Sequence, residues 1–285
     1  MIEELKITIE CEDGFKLSGK LFKPQKISSA VMIAPATGIK KEFYASFAYY
    51  LAENGFATLT FDNRGIGESK GDNINSSNAS LTNWGKLDMT AALEYLKAEI
   101  PNTDYHLIGH SAGGQLVGLM KNAREIKSMF NFGSSSGSLQ NATYPFKLKS
   151  SFWLNFYIPV SNLFFGHTKS QWVGMGEPLP KNVGKEWTKW CNGKGYVKVD
   201  LDTKITEHLY NELDLNTLWV HAKDDDIANY ANVEDMISVH PHIKSTILTL
   251  SPADYGYKDI GHMKFFSKRK KELWSLATNW LNENE

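Results

Sequence analysis

A serine stands inside the glycine-rich segment GHSAGG at positions 109–114, and its hydroxyl could act as a nucleophile. The preceding residues predict a buried strand ending at Ile108, and the following ones predict a helix over positions 112–122. A G-x-S-x-G turn between strand and helix strains the serine backbone, and the flanking glycines avoid a steric clash. The hydroxyl then lies at the carboxyl edge of the sheet, beside free N–H groups at a helix start. The sequence therefore predicts Ser111 as nucleophile, and His110 as a packing residue.

Serine is a poor nucleophile until a base removes its proton, so a histidine should accompany Ser111. His262 lies in the segment DIGHM at positions 259–263, after the last predicted strand and before the last predicted helix. A loop at that place opens onto the same sheet edge as Ser111. Other histidines fall within or beside predicted strands or at a helix end, namely His106, His221, His240 and His242. We therefore predict His262 as the general base.

An acid should orient the imidazole and stabilise its protonated form. The predicted strand at 218–221 runs into three adjacent aspartates, which would repel one another unless at least one is paired. We predict Asp225 as this acid, with Asp226 and then Asp224 as alternatives, and expect the other two to be solvated or to cap the next helix. The three predicted residues follow one another in the chain order serine, aspartate, histidine.

Two backbone N–H groups should receive the oxyanion of a tetrahedral intermediate. One is predicted to be that of Ala112, directly after the nucleophile. The other should come from the loop after the apolar strand at 30–36, where the chain reads PATG at 35–38. Thr37 is the prediction and Ala36 the alternative, and Gly38 is expected to let this backbone approach a ligand closely.

The elements that must position these groups alternate between short apolar runs and amphipathic segments, which predicts a parallel sheet with right-handed crossovers. The first two strands read as a hairpin around Asp13 and Gly14. We therefore predict the α/β class, with a mostly parallel eight-stranded sheet flanked by helices. The predicted strands are 5–11, 15–22, 30–36, 57–61, 105–108, 129–132, 218–221 and 246–250, and the predicted helices are 43–54, 84–98, 112–122, 233–239 and 266–281.

The alternation breaks between residues 134 and 212, a segment rich in aromatic residues, proline and glycine. An insertion this long is usually functional, so we predict a core of residues 1–133 and 213–285 with a cap or lid at 134–212. Most aromatic side chains of the cap are expected to pack inward, and a few to face the substrate. They are Phe146, Phe152, Trp153, Phe156, Tyr157, Phe164, Phe165, Trp172, Trp187, Trp190 and Tyr196.

The overall charge is balanced, with 31 basic and 32 acidic residues and a net charge of −1. Such balance predicts no electrostatic attraction to DNA, RNA or an anionic membrane, so the expected partner is a small molecule. The one short basic run, at 268–271, is expected to be a solvated helix face.

Cys11 and Cys191 are far apart and match no metal-ligand spacing, so we expect two reduced thiols. The first residues are acidic and lack the apolar core of a signal peptide, and no run of about 18 apolar residues could span a bilayer. These features predict a cytoplasmic protein without an integral membrane segment. The oligomeric state stays open, with a homodimer among the alternatives.

Four segments together resemble the α/β-hydrolase superfamily: GHSAGG at 109–114, DNRGIGES at 62–69, DDDI at 224–227 and GH at 261–262. Within this superfamily, the motifs most resemble those of predicted bacterial serine hydrolases that are related to lysophospholipases and monoacylglycerol lipases. The resemblance covers the core and not the cap. We interpret the 62–69 turn as structural, with Asp62 and Arg64 bracing nearby loops. Two segments depart from the family: PATG stands where many relatives have His-Gly, and DDD where they often have D-D-P.

The resemblance implies hydrolysis of esters, thioesters or amides through an acyl-enzyme, without a cofactor. An aromatic cap favours an apolar acyl or aryl group, so a carboxylic ester hydrolase is the leading hypothesis. The alternatives are an acyltransferase that uses the same residues and a non-catalytic binding module. An aminopeptidase would need acidic groups in the cap, where nothing marks Glu177 or Glu186 for that role.

Overall fold

Eight strands form the central sheet of the computed structural model, which describes residues 1–71 and 73–285. Their order across the sheet is β1-β2-β4-β3-β5-β6-β9-β10, and all neighbours are parallel except the pairs β1–β2 and β2–β4. The predicted mostly parallel eight-stranded sheet is therefore confirmed. The strands are β1 Ile2–Glu10, β2 Lys16–Pro24, β3 Ser29–Ala34, β4 Phe56–Phe61, β5 Tyr105–His110, β6 Ser128–Phe132, β9 Asn216–Ala222 and β10 Lys244–Leu250, and a separate two-stranded ladder joins β7 His167–Thr168 to β8 Leu179–Pro180.

Continuous apolar runs become the central strands because helices cover the sheet on both faces. Every residue of β3, β4 and β6 is buried. The edge hairpin instead turns at Gly14, whose φ of 78° places it in the left-handed region that glycine tolerates. The predicted hairpin is therefore present, with Glu10 opposite Lys16 in register.

The helices are mostly short, and two of them continue through π-helical turns. The α-helices are α1 Ala45–Glu53, α2 Leu81–Asn83, α3 Thr90–Glu99, α4 Ala112–Gln115, α5 Phe146–Phe152, α6 Ile158–Phe165, α7 Lys181–Asn192, α8 Tyr230–Ile237 and α9 Ser275–Glu283. The π-helical turns are Trp84–Met89, between α2 and α3, and Trp153–Tyr157, between α5 and α6. The 3-10 turns are Lys41–Tyr44, Gly67–Ser69, Ile74–Ser76, Val117–Leu119, Ala123–Glu125, Ser170–Val173, Tyr196–Val199, Pro252–Tyr255, Lys264–Phe266 and Lys268–Trp274.

The helix predicted over 112–122 is much shorter than expected, because α4 ends at Gln115. Glycines in this segment lower its helix propensity. One of them, Gly118, lies against the ring of Tyr210, where a Cβ would not fit. The Tyr210 hydroxyl donates to the carbonyl of Gln115 at 2.6 Å, and the Leu209 N–H donates to that of Gly118 at 2.7 Å. Tertiary hydrogen bonds thus engage carbonyls that a longer helix would use internally.

The predicted C-terminal helix is also divided, since Lys268–Trp274 is a 3-10 turn and only α9 is α-helical. Lys270 leaves helical geometry at φ −124° and ψ 31°, and its ammonium lies 3.8 Å from the ring centre of Tyr257. The basic run at 268–271 is thus not wholly a solvated face, because Lys270 is buried while its three basic neighbours are exposed.

The aromatic side chains of residues 134–212 do not mostly pack inward, so that expectation is wrong. Only Trp190 and Tyr196 are buried; Phe146, Trp153, Tyr157 and Trp187 are half-buried, and Phe152, Phe156, Phe164, Phe165 and Trp172 are exposed. One face of α5 and α6 is apolar and points to solvent. That this segment acts as a cap stays a prediction.

Cys11 and Cys191 are both free and buried, as expected for two reduced thiols. Among the described residues, no helix is long and apolar enough to cross a membrane.

A buried histidine far from Ser111 in sequence should make stability depend on pH. Burial lowers the pKa of His240 to about 3, and neither ring nitrogen has a hydrogen-bond partner among the described residues. The unfolded chain binds this proton near pH 6.5, so the stabilising effect is present above that pH and is lost as pH falls. Between about pH 7.5 and 5.5, wild type should lose about 1.4 kcal/mol more unfolding free energy than His240→Phe.

Urea unfolding at the two pH values measures this difference, with His242→Phe at an exposed position as the matched control. The control should lose as much stability as wild type. An equal loss in wild type and His240→Phe would contradict the prediction.

Candidate active site

Ser111 stands on the turn between β5 and α4, with φ 50° and ψ −113°. A backbone in this region costs a non-glycine residue about 1–3 kcal/mol, so its surroundings must hold it there. Its N–H donates to the carbonyl of Phe132 at 3.0 Å, and its carbonyl accepts the Ser134 hydroxyl at 2.9 Å. The strained turn predicted around Ser111 is therefore present.

Two glycines after the serine allow this turn to pack against the sheet. A Cβ on Gly113 would overlap the carbonyl of Ala34 at the end of β3, and one on Gly114 would overlap the amide of Asn131. The glycines of the motif are thus required by neighbouring backbone and side chains.

His262 is hydrogen-bonded to Asp225, with 2.8 Å between Nδ1 and Oδ2. The other carboxylate oxygen of Asp225 accepts the N–H groups of Ile227 and Ala228, each at 2.9 Å. Burial raises the pKa of Asp225, but His262 and these two N–H groups outweigh that effect and hold the pKa below its usual value. The carboxylate therefore stays charged and directs Nε2 of the imidazole away from itself.

The other two aspartates at this strand end have different surroundings. Asp224 is exposed and accepts the N–H of Ile260 at 2.8 Å, while Asp226 is exposed and pairs with no described residue. Neither caps α8, whose first turn is capped by Asn229. Of the three alternatives, the structure brings only Asp225 to His262.

Gly133, at the end of β6, makes room for this pair, and sequence reasoning missed it. A Cβ there would lie 3.2 Å from the imidazole and 3.5 Å from Asp225, and the φ of 61° itself favours glycine. A glycine directly after a predicted buried strand was the signal that could have found it.

Ser111 and His262 line one cavity, although no hydrogen bond joins their side chains among those of the described residues. Contacts between nucleophile and base are often long before substrate binds and shorten in the complex. Asp225 and His262 are thus paired, and Ser111 opens onto the same space.

The N–H groups predicted for the oxyanion differ in availability. That of Ala36 donates to the Tyr44 hydroxyl at 2.9 Å, so the alternative to Thr37 is already engaged. Thr37 lines the cavity, and Ala112 begins α4 directly after Ser111. Gly38 does not serve the expected purpose, because its close contacts are with residues 175–179 rather than with the cavity.

The cavity has a volume of about 310 Å³ and is largely apolar. Its wall combines the loop at 36–39, the turns at Ser111 and His262, and the segment predicted as a cap. Apolar side chains in the wall include Leu139, Phe146, Trp153, Leu154, Trp187 and Met263. Of the described residues lining it, none is a carboxylate, and no group of His, Cys, Asp and Glu in residues 1–71 and 73–285 is arranged to hold a metal ion.

The profile of the family described as "Serine aminopeptidase, S33" matches residues 25–130, from the end of β2 into β6. No curated protein sequence matches the chain. Solved structures resemble it along nearly its whole length at low identity. A soluble variant of monoglyceride lipase from Saccharomyces cerevisiae has a TM-score of 0.70 and 15% identity, over 97% of this chain and 95% of that one. The chain has the α/β-hydrolase fold.

Two further α/β-hydrolase structures share this fold. A thermostable carboxyl esterase from Bacillus coagulans has a TM-score of 0.64 and 12% identity, covering 100% of this chain and 99% of that one. An esterase from Pyrococcus furiosus has a TM-score of 0.59 and 15% identity, covering 99% of this chain and 91% of that one. The resemblance inferred from the sequence motifs is thus confirmed at the level of the fold.

The DNRGIGES turn braces the loops around the site, as interpreted from the sequence. Both carboxylate oxygens of Asp62 bind Lys41, one at its N–H and one at its ammonium, and so anchor the end of the oxyanion loop. Arg64 is fully buried between Asp88 and Asp13, with 2.6 Å to each carboxylate.

His110 does more than pack. Its Nε2 lies 3.0 Å from the carbonyl of His262 and must carry the proton, because a carbonyl only accepts. Its Nδ1 therefore accepts the Tyr44 hydroxyl at 2.8 Å, and that hydroxyl in turn accepts the N–H of Ala36. This Tyr44–His110 relay connects the loop at 35–40, the turn at Ser111 and the loop at 259–263, and no sequence motif marks Tyr44 for it.

Substituting single aspartates should show that Asp225, and not a neighbouring aspartate, acts as the acid. Asp225→Asn should slow covalent labelling of Ser111 by a fluorophosphonate by about 10³-fold or more, because the amide does not hold the imidazole in the required tautomer and charge state. Asp226→Asn is the matched control and should label within about twofold of wild type. Equal rates for wild type and Asp225→Asn would exclude Asp225 as the acid.

Tyr44→Phe should test the relay. It leaves the Ala36 N–H and His110 Nδ1 without a partner, so labelling of Ser111 should slow by about tenfold or more as the three loops lose their alignment. Tyr105→Phe also removes a hydrogen-bonded hydroxyl, that of a half-buried side chain that donates to the Ile100 carbonyl at 2.7 Å, and should leave the labelling rate unchanged. If both variants lose stability and neither slows labelling, the relay has no positioning role.

Proposed function

We propose that the chain is a serine hydrolase that cleaves a carboxylic ester of a small, partly apolar substrate through an acyl-enzyme. The observation that carries this proposal is the hydrogen bond from the buried Asp225 to His262, beside a cavity into which the strained Ser111 opens. The esterases and the monoglyceride lipase that share the fold support ester chemistry.

In the proposed reaction, Ser111 attacks the ester carbonyl while His262 Nε2 takes the hydroxyl proton. Asp225 stabilises the imidazolium, and the N–H groups of Thr37 and Ala112 bind the oxyanion. His262 then gives its proton to the leaving alcohol, which departs as the acyl-enzyme forms. A water molecule, deprotonated by His262, attacks this acyl group and releases the acid and the free serine.

The cavity wall favours an uncharged acyl group over a peptide with a free amino terminus. An ammonium group would need a carboxylate, and the two acids considered for that role are engaged elsewhere. Glu177 pairs with Lys40 and Lys70, and Glu186 accepts the backbone N–H and the hydroxyl of Thr82. The proposed substrate is therefore an ester rather than a peptide amine.

The size of the cavity favours short to medium acyl chains. Its volume of about 310 Å³ is near the lower end of ligand pockets, which span about 300–1,000 Å³. Residues 134–212 would act as the cap that supplies the apolar wall of this pocket. A cytoplasmic location remains a prediction from the sequence.

A panel of p-nitrophenyl esters of increasing chain length tests the proposal. The ratio kcat/KM should be highest for short to medium chains, and Ser111→Ala should lower it by at least about 10⁴-fold, because the nucleophile is lost. The matched control is Ser135→Ala, which removes a buried hydroxyl near the site without removing the nucleophile, and which should keep most of the activity.

Other outcomes would identify the alternatives. Acyl transfer to added alcohols in preference to water would indicate an acyltransferase. Folded protein that a fluorophosphonate does not label would indicate a binding module, and labelled protein that cleaves no ester would indicate amide or carbon–carbon bond chemistry.

A further inference from the structure

The exposed large apolar side chains are concentrated in one part of the molecule. Nine of the thirteen among the described residues lie between positions 144 and 173, and several are more than half exposed. They are Tyr144, Leu148, Phe152, Phe156, Leu163, Phe164, Phe165, Trp172 and Val173. Single exposed apolar residues are ordinary, but a concentration of this kind marks an interaction surface.

The outer face of the helix formed by α5, the π-helical turn and α6 is apolar. Leu148, Phe152 and Phe156 follow one another at intervals of four, and Leu163 continues the same face. The opposite face packs inward, with Leu154 and Ile158 buried in the core. A helix with polar surroundings would expose its polar side, so this face is built for contact with something apolar.

The charge around this apolar face is positive. Residues 126–176 contain no aspartate or glutamate, in a chain that has 32 of them. Lys147, Lys149 and Lys169 lie in or beside the helix, and none forms a salt bridge with a described residue. The Lys169 ammonium lies 5.4 and 5.5 Å from the ring centres of Phe165 and Trp172.

These observations favour one occupant over others. Aromatic and aliphatic side chains flanked by lysines, with no acids, are the pattern of a helix that lies in the interface of an anionic membrane. A second copy of the same face would bring the lysines of both copies together, so charge opposes self-association. We propose that the outer face of residues 144–173 docks on anionic lipid surfaces, with the helix lying parallel to the membrane.

The docking face adjoins the cavity of the site. Val173 belongs to both, and Phe146, Lys149 and Trp153 line the cavity from the inner side of the helix that carries the exposed stripe. Docking would therefore bring the cavity close to the lipid surface. The proposal does not depend on the hydrolase activity.

Sedimentation with vesicles tests it, using phosphatidylcholine with and without phosphatidylglycerol. Wild type should bind the mixed vesicles, and Ser111→Ala should bind equally well because docking needs no catalysis. The triple variant Leu148→Ser, Phe152→Ser and Phe156→Ser should lower the partition coefficient by about 100-fold or more, because the buried apolar area is lost. These side chains do not line the cavity, so fluorophosphonate labelling should be unchanged.

The contribution of positive charge is tested by the double variant Lys147→Glu and Lys169→Glu, which should bind the mixed vesicles about 30-fold more weakly than wild type. Tyr49→Ser, at an exposed apolar position on α1, is the matched control and should bind as wild type. The proposal would be overturned if wild type bound neither kind of vesicle, or if the triple variant bound the mixed vesicles as well as wild type does. Dimerisation lost in the triple variant, without vesicle binding by wild type, would assign the face to a second copy instead.

Discussion

A buried carboxylate can remain charged only where enough donors surround it, and Asp225 meets that condition with one imidazole and two backbone N–H groups. Without them, burial alone would favour the neutral acid, which could not orient His262 in the same way. The donors come from the loop between β9 and α8 and from the base loop, far apart in sequence. The rest of the site depends on this one satisfied charge, because it directs the free nitrogen of His262 towards the cavity.

The two histidines of the site show how surroundings divide the roles of one residue type. His262 faces a carboxylate and can accept and release a proton with charge compensation. His110 faces a hydroxyl and a carbonyl, and burial lowers its pKa to about 3, so it stays neutral at physiological pH. A neutral imidazole with a defined tautomer acts as a rigid connector. It therefore holds three loops in place without competing for the proton that His262 transfers in the proposed reaction.

Features with a local pattern were predictable from the sequence, and features made by distant contacts were not. A hairpin signal and a series of short apolar runs predicted all eight strands of the main sheet, and glycine spacing predicted the strained turn at Ser111. The length of α4 was not predictable, because hydrogen bonds from Tyr210 and Leu209 end it. Tyr44 reads in sequence as one more aromatic residue of a helix, and only the folded chain brings its hydroxyl to His110.

The cap shows why averages over a whole chain can mislead. A net charge of −1 predicts no attraction to an anionic membrane, yet acidic residues are absent from 51 consecutive positions, 126–176. Aromatic side chains are expected to enter a core, because burial of each is favourable. Here Leu154 and Ile158 on the inner face of the helix are buried in the core, while the aromatic side chains on the outer face remain exposed. Local charge and helical periodicity distinguish the two cases when they are considered together over this one segment. They separate a cap that packs inward from a surface that contacts an apolar partner such as a membrane.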